Sequence, residues 1–352
     1  MCYFKWRCLN IIYWRYNAVT LRIGVLSLWH VHAWDYIKQV QEHEDTVIAA
    51  VWDEDPVRGQ AAADQLNVPF FASLADLLAE EDIDGVIVDA PTSQHTEVLT
   101  AAAQAGKHIF TEKVIAATLK EANAVLSEVS KQQLTLTVSL PRLNDGYTLA
   151  IQEVLHQGLL GTITYVRVRL SHDGAVAGWL PAHFYNLEEC RGGALIDLGC
   201  HPMYLTRLFL GEPVTGVSAS FGYVTGKEVE DNAVAALSTD SGAIGVVEAG
   251  FVNSHSPFAI EVHGTEGTLL FGTPEQKLLI RTKAAGDAYQ DWTEWPLPAP
   301  NKSAFQQWVA HIQANTFAEE NVQIALELTR LMEAANLAAR EGRTILLKAL
   351  TD

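Results

Sequence analysis

The sequence predicts an α/β chain in two parts. The first is a doubly wound parallel sheet, the second an α+β domain with a large, mostly antiparallel sheet open on one face. Three observations carry this. From Leu21 to Leu140, short apolar runs alternate with amphipathic stretches, the pattern of parallel strands covered by helices on both faces. After Pro141 the runs alternate apolar with polar residues and are parted by glycine and Asp-Ser-Gly turns, as in antiparallel meanders. A chain of 352 residues, 49% of them hydrophobic, is long enough for two cores.

In order, 21–27 reads as a strand, 32–41 as a helix, and 46–52 as a second strand closed by Asp53. Helix 56–66 opens on a proline, where its missing N–H costs little. Strands follow at 69–71, 85–90, 108–110 and 134–140, with helices at 73–79, 92–105 and 119–130 between them. Right-handed crossovers wind these into one sheet, and such sheets bind ligands at the carboxyl ends of their strands. That gathers Ser27 to His32, Asp53, Ala90 to His95 and Thr111 to Lys113 around one crevice. The second half reads as helix 147–156, strands 162–171, 216–222, 233–238, 245–252, 258–263 and 267–271, then helices 303–315 and 322–340. No helix is left for one face of its sheet, so that face is expected to meet another subunit. The domains predicted are 21–141 and 142–352, after an atypical extension, 1–20. That extension is aromatic and basic, and its apolar core is too short for a signal peptide. The natural start is expected at Leu21; mass spectrometry finding an intact residue 1 in natively expressed protein would refute this.

Lys and Arg number 24 against 42 Asp and Glu, a net charge of −18. With no basic run, the chain is unsuited to nucleic acid or anionic membrane. No apolar run approaches the length of a membrane span. Cysteines 2, 8, 190 and 200 form no Cys-x-x-Cys, which suits free thiols in a reducing cytoplasm.

Chemistry concentrates between Gly192 and Tyr204. Asp197 and His201 stand four residues apart, on one face of a helix. His201 titrates near neutrality and is suited to moving protons. The plainer reading is a helix start with Asp197 near its N-cap and His201 packed. Asp53, at the end of the second strand, occupies the position that binds the adenine-ribose hydroxyls in dinucleotide folds, unless it is only a turn residue. Glu54 and Asp55 deepen the negative field, which favours NAD over NADP. The Gly-x-Gly-x-x-Gly frame of such folds falls here on Ser27, Trp29 and His32, so all three glycines are absent. Trp29 should push phosphates away. The helix N-terminus, with Ser27, His30 and His32, offers donors in compensation, although both histidines would also serve as caps.

On Arg22-Ile-Gly-Val, Asp53, Ala90-Pro-Thr-Ser-Gln-His95, Glu112-Lys113 and Gly192-Gly-Ala-Leu-Ile-Asp-Leu-Gly-Cys-His201, the chain resembles the glucose-fructose oxidoreductase / inositol dehydrogenase / MocA family from Leu21 to its end. The resemblance implies a Rossmann-type NAD(P)-binding domain and hydride transfer to or from a CH–OH group of a sugar, inositol or related polyol. In the family the lysine of Glu-Lys-Pro lies beside the nicotinamide; here the motif reads Glu112-Lys113-Val114. The family's Asp-x-Gly-x-His-x-x-Asp reads Asp197, His201 and then Tyr204, a phenol in place of the last carboxylate. The catalytic residues implied are Lys113, which holds the hydroxyl, Asp197, which orients it, and His201 as general base. The cofactor is expected to meet Ser27, Leu28, Trp29, His30, Asp53, Ala90, Pro91, Thr92, His95, Glu112 and Lys113. The substrate is expected to meet Lys113, His172, His183, Asp197, His201 and Tyr204, with Asp173, Trp179 and Tyr185 nearby. No metal is expected, His30, His32 and His95 being only a loose trio. The implied assembly is a cytoplasmic homodimer or homotetramer built through the C-terminal sheet. Two rivals remain: an enzyme that retains NAD and epimerises or eliminates, and a non-catalytic nucleotide- or sugar-binding regulator.

Overall fold

A computed structural model describes residues 20–273 and 275–350. The atypical extension, except Thr20, and with it Cys2 and Cys8, lies outside the described residues.

Six parallel strands make the first sheet: β1 (Leu21–Leu26), β2 (Thr46–Trp52), β3 (Phe70–Phe71), β4 (Gly85–Val88), β5 (His108–Thr111) and β6 (Leu136–Val138). Their order, β3-β2-β1-β4-β5-β6, reverses direction at β1, the switch point where such sheets open a crevice. The strands are apolar because both faces are covered: Val86, Ile87 and Val88 are fully buried. Local chemistry sets the helix starts. Asp55 accepts the N–H groups of Val57 and Arg58 to begin Pro56–Leu66, and a Thr118–Glu121 capping box begins Leu119–Lys131.

The second sheet has nine strands: β7 (Ile163–Ser171), β8 (Val214–Gly222), β9 (Asn232–Thr239), β10 (Ile244–Gly250), β11 (Ala259–Gly264), β12 (Gly267–Phe271), β13 (Leu278–Thr282), β14 (Thr293–Trp295) and β15 (Ile345–Leu346). They run in the order β14-β13-β12-β11-β7-β10-β9-β8-β15. All pairs are antiparallel except β7 with β10. The sequence pattern misses β13, β14 and β15; the last two, of three and two residues, are too short to show alternation. Helix Cys200–Leu210 packs on β7 and β10, over Val166, Val168 and Val247, and Glu319–Glu341 packs beside it on β8. The opposite face keeps a partly exposed charge network, in which Arg167 holds Glu248 at 2.8 Å and Glu261 at 2.9 Å.

Helix Ala304–Ala314 returns to the first sheet. Its Phe305 and Trp308 share a core with Ile23, Ile37 and Phe110, and the Trp308 indole donates to the Thr135 carbonyl at 3.3 Å. One core thus draws on residues from both sides of residue 141. No helix among the described residues is long and apolar enough to cross a membrane.

Candidate active site

Lys113 stands two residues past the end of β5, at the carboxyl edge of the first sheet. Asp197 arrives from the second domain on a single π-helical turn, Leu195–Gly199, that runs into helix Cys200–Leu210. Such turns recur at functional sites. The buried carboxylate of Glu230 fixes this one by accepting the N–H groups of Gly193 at 2.8 Å and Leu195 at 2.9 Å. Only glycine fits at 193, since a Cβ there would stand 2.1 Å from the Glu230 carbonyl oxygen. The result is a buried ion pair across the domains, with Lys113 Nζ 2.9 Å from Asp197 Oδ1.

A second carboxylate backs the lysine: Glu112 Oε1 lies 3.4 Å from Lys113 Nζ. Glu112 also accepts from the Tyr36 hydroxyl and meets His32 Nδ1 at 3.4 Å. His30 Nε2 stands 3.4 Å from Lys113 Nζ and 3.6 Å from Asp197 Oδ1. Burial alone would discharge these groups, but their mutual fields win. Asp197 and Glu112 hold the Lys113 ammonium well above its ordinary range. Against burial, Lys113 and His30 keep both carboxyls far below theirs. Burial lowers His30, whereas Glu112 overcomes burial and raises His32. The site therefore offers a fixed ammonium between two fixed carboxylates.

His201 sits in the first turn of the helix that Asp197 leads into, buried, with Nδ1 3.1 Å from the Tyr204 hydroxyl. Tyr204 is 2% exposed and its oxygen accepts the Arg142 N–H at 3.2 Å, so the phenol stands behind His201 and is not open to a substrate. His172 stacks on Phe251, with 5.1 Å between centroids, and its Nδ1 accepts the Gly174 N–H. His183 lies against Trp29, 4.8 Å between centroids.

The first turn differs from the Lys113 end. Ser27 takes a left-handed conformation, φ 74°, where the expected frame has glycine. Trp29 turns inward, stacks on Phe184 at 5.2 Å and donates from Nε1 to Glu189 Oε2 at 2.7 Å. Asp53 is buried and committed. Oδ2 accepts from Leu28 N and Arg58 Nε, both at 2.9 Å; Oδ1 accepts from Asp55 N and Arg58 Nη2, both at 2.7 Å. A carboxylate offers about four acceptor positions, so none is left for a ribose hydroxyl. Both ring nitrogens of buried His95 face backbone carbonyls, Val114 at 2.6 Å and Ala90 at 3.0 Å; this residue ties the strand ends together and has no nitrogen free for a cofactor. Ala90 and Pro91 are buried and Thr92 is half-buried. What remains between Trp29, Thr92, Phe184, Lys113 and Asp197 is a cavity of about 20 Å³. That holds one water, whereas ligand sites span roughly 300–1,000 Å³. The donor set at Lys113 suits a nicotinamide nucleotide.

Two sequence profiles of one family match the chain. The oxidoreductase family with an NAD-binding Rossmann fold covers residues 27–140, and the GFO/IDH/MocA C-terminal domain covers 148–270. The chain belongs to the GFO/IDH/MocA family. Among its relatives, D-apiose dehydrogenase of Paraburkholderia graminis is 27% identical, over 96% of this chain and 91% of its own. D-xylose 1-dehydrogenase (NADP(+)) 2 of Haloferax volcanii is 29% identical, over 66% and 69%. In fold, a levoglucosan dehydrogenase solved with NADH and levoglucosan superposes with a TM-score of 0.78 at 19% identity, over 93% of this chain and 99% of that one.

Several residues of this family site escape sequence reading. Arg58, which supplies two of the four bonds to Asp53, was missed; its place five residues on, in the first turns of the following helix, is the signal that could have found it. Glu230, Glu189 and Tyr36 give no local signal, because their partners are distant in the chain. The trio of histidines resolves differently: His30 and His32 place ligand atoms within 4.8 Å of one another and of Glu112, while His95 does not join them. The Lys113 ammonium beside that cluster opposes a second cation.

Proposed function

We propose that the chain is an NAD(P)-dependent oxidoreductase acting at a CH–OH carbon, or the matching ketone, of a sugar, inositol or related polyol. The buried Lys113–Asp197 pair carries this reading. Two domains would not bury a lysine against two carboxylates for stability alone, since such pairs gain little net energy. Lys113 presents a permanent positive charge to a substrate oxygen and steadies charge that develops there. Asp197, the carboxylate held against Lys113, takes the proton that the hydroxyl loses as hydride leaves, and it aims the ammonium. Glu112 holds Lys113 from behind. The acidic trio Asp53, Glu54 and Asp55 favours NAD; Arg58 offsets part of that field. Residues 21–141, with helix 304–314, form the cofactor part and the rest the substrate part. A homo-oligomer forms through the open sheet face. The free thiols of Cys190 and Cys200 support a cytoplasmic setting.

The loss of all three phosphate-turn glycines, at Ser27, Trp29 and His32, motivates one rival, a binding regulator. Titration with NADH and NADPH by nicotinamide fluorescence, followed by a polyol and sugar screen, separates the two. Binding and turnover support the enzyme. Absence of both, under conditions where the protein is folded, refutes it.

A further inference from the structure

The family motif gives His201 the proton-accepting role, but its hydrogen bonding argues for another. Among the described residues, the Tyr204 hydroxyl has two partners, the Arg142 N–H at 3.2 Å and His201 Nδ1 at 3.1 Å. A peptide N–H only donates, so the phenol oxygen accepts there. The phenol's own hydrogen is left for Nδ1, because Tyr204 is buried away from water and an unmade O–H bond is costly. A ring nitrogen that accepts carries no hydrogen. In a neutral imidazole the hydrogen is then on Nε2. Burial keeps the ring neutral, with Lys113 and Arg142 adding to its effect and Glu112 and Asp197 opposing it.

We propose that Tyr204 is a positioning residue that locks His201 as its Nε2–H tautomer, so that the imidazole meets a substrate oxygen as a hydrogen-bond donor and not as a proton acceptor. The carboxylate that the family motif has at this position would do the reverse. It would accept from Nδ1–H and leave Nε2 bare, ready to act as a base. The replacement at 204 thus changes what His201 offers without touching His201. The tautomer stands independently of the proposed activity; the donor role rests on it.

The test is nitrogen NMR of protein labelled with ¹⁵N in its histidine rings, with His201 assigned by the signal lost in His201→Asn. Expected in the wild type at neutral pH is a bare Nδ1 and a protonated Nε2, recognised by its one-bond coupling. Tyr204→Asp should exchange the two, and Tyr204→Phe should leave neither fixed. A wild-type Nδ1 that carries the hydrogen overturns the proposal, whether or not the variants fold. The second readout is the pH profile of kcat/KM with cofactor and substrate. Tyr204→Asp should add an acidic limb, from protonation of a new base, that the wild type lacks. A limb from His32, if seen, is common to both proteins; a Tyr204→Asp profile with no limb beyond those of the wild type overturns the donor role. A wild type that turns over nothing defeats the oxidoreductase reading and leaves the tautomer result to be judged by itself.

Discussion

The two ends of the crevice are built on different terms. At the Lys113 end, charged side chains are buried against one another: Lys113 meets Asp197 and Glu112, and Glu112 also meets His32 and Tyr36. At the Trp29 end the site has been filled, with an indole where the family frame has the second glycine and an aspartate whose acceptor positions are all used. A catalytic centre needs particular groups, so replacing one removes the chemistry. A phosphate turn needs mainly the absence of side chains, and another side chain can take over the space if a different segment moves to admit the ligand.

The sharpest way to break this contrast is Lys113→Ala. It leaves Asp197 and Glu112 buried without their cation, and should cost about 3–5 kcal/mol of stability in urea unfolding. Turnover should fall by about 10²–10³-fold. A variant with full activity would remove the Lys113 end from the chemistry altogether. Trp29→Gly addresses the other end. Loss of a buried tryptophan should destabilise by about 3–5 kcal/mol, yet NADH should bind more tightly in a fluorescence titration, because the indole no longer fills the crevice. Equal affinity in both proteins would show that something other than Trp29 closes it. A smaller effect is expected from Arg58→Ala. The Arg58 side chain is 31% exposed, so its loss should cost about 1–2 kcal/mol. Two acceptor positions on Asp53 become free, and the preference for NADH over NADPH should rise.

Acid should act on both ends together. The folded state depresses His30, His95 and His201 from 6.5, chiefly by burial. Their contribution to stability is therefore present above pH 6.5 and is lost as pH falls through the folded values. Each group adds a slope of about 1.4 kcal/mol per pH unit while it titrates. Below 4.5 the loss should steepen as Glu112 and then Asp197 protonate. His32 works in the opposite sense: its raised value supplies stability below 6.5 that disappears as pH rises through the folded value. Chemical unfolding at a series of pH values shows whether stability drops on acidification, and a flat profile would mean that these groups are not buried as described. The least effect belongs to Arg167→Ala on the open sheet face, under about 1 kcal/mol for a partly exposed pair. Sedimentation of the same variant tests whether that face joins subunits.

Much of this was legible in the sequence for physical reasons. The strands of the first sheet are apolar on both faces, so they stand out as runs, and Asp55 and Thr118 mark helix starts through their own side chains. The pairing of Lys113 with Asp197, 84 residues apart, was legible only through the motifs on either side. What the sequence could not show is which polar groups are already spent. Asp53 was expected to bind ribose, and His95 to meet the cofactor; within the protein Asp53 meets four donors and both His95 nitrogens face backbone carbonyls, arrangements that no spacing rule reveals. Tyr204 was expected to face a substrate, but helix periodicity gives a side chain's direction and not what stands in front of it.

The one parallel pairing in the second sheet carries a cost in time. Strand β7 is complete at residue 171, but its two hydrogen-bonded neighbours begin at 244 and 259. At synthesis rates of about 5–20 residues per second, β7 waits on the order of 4–15 s for its first partner. During that interval it emerges from the ribosome as a nine-residue strand with both edges bare. The helix bearing His201 is made within the same wait. A nascent chain of this design is exposed to wrong pairing at the point where the segment bearing Asp197 and His201 is being laid down, and its yield in a cell should depend on chaperone supply more than its final stability would suggest.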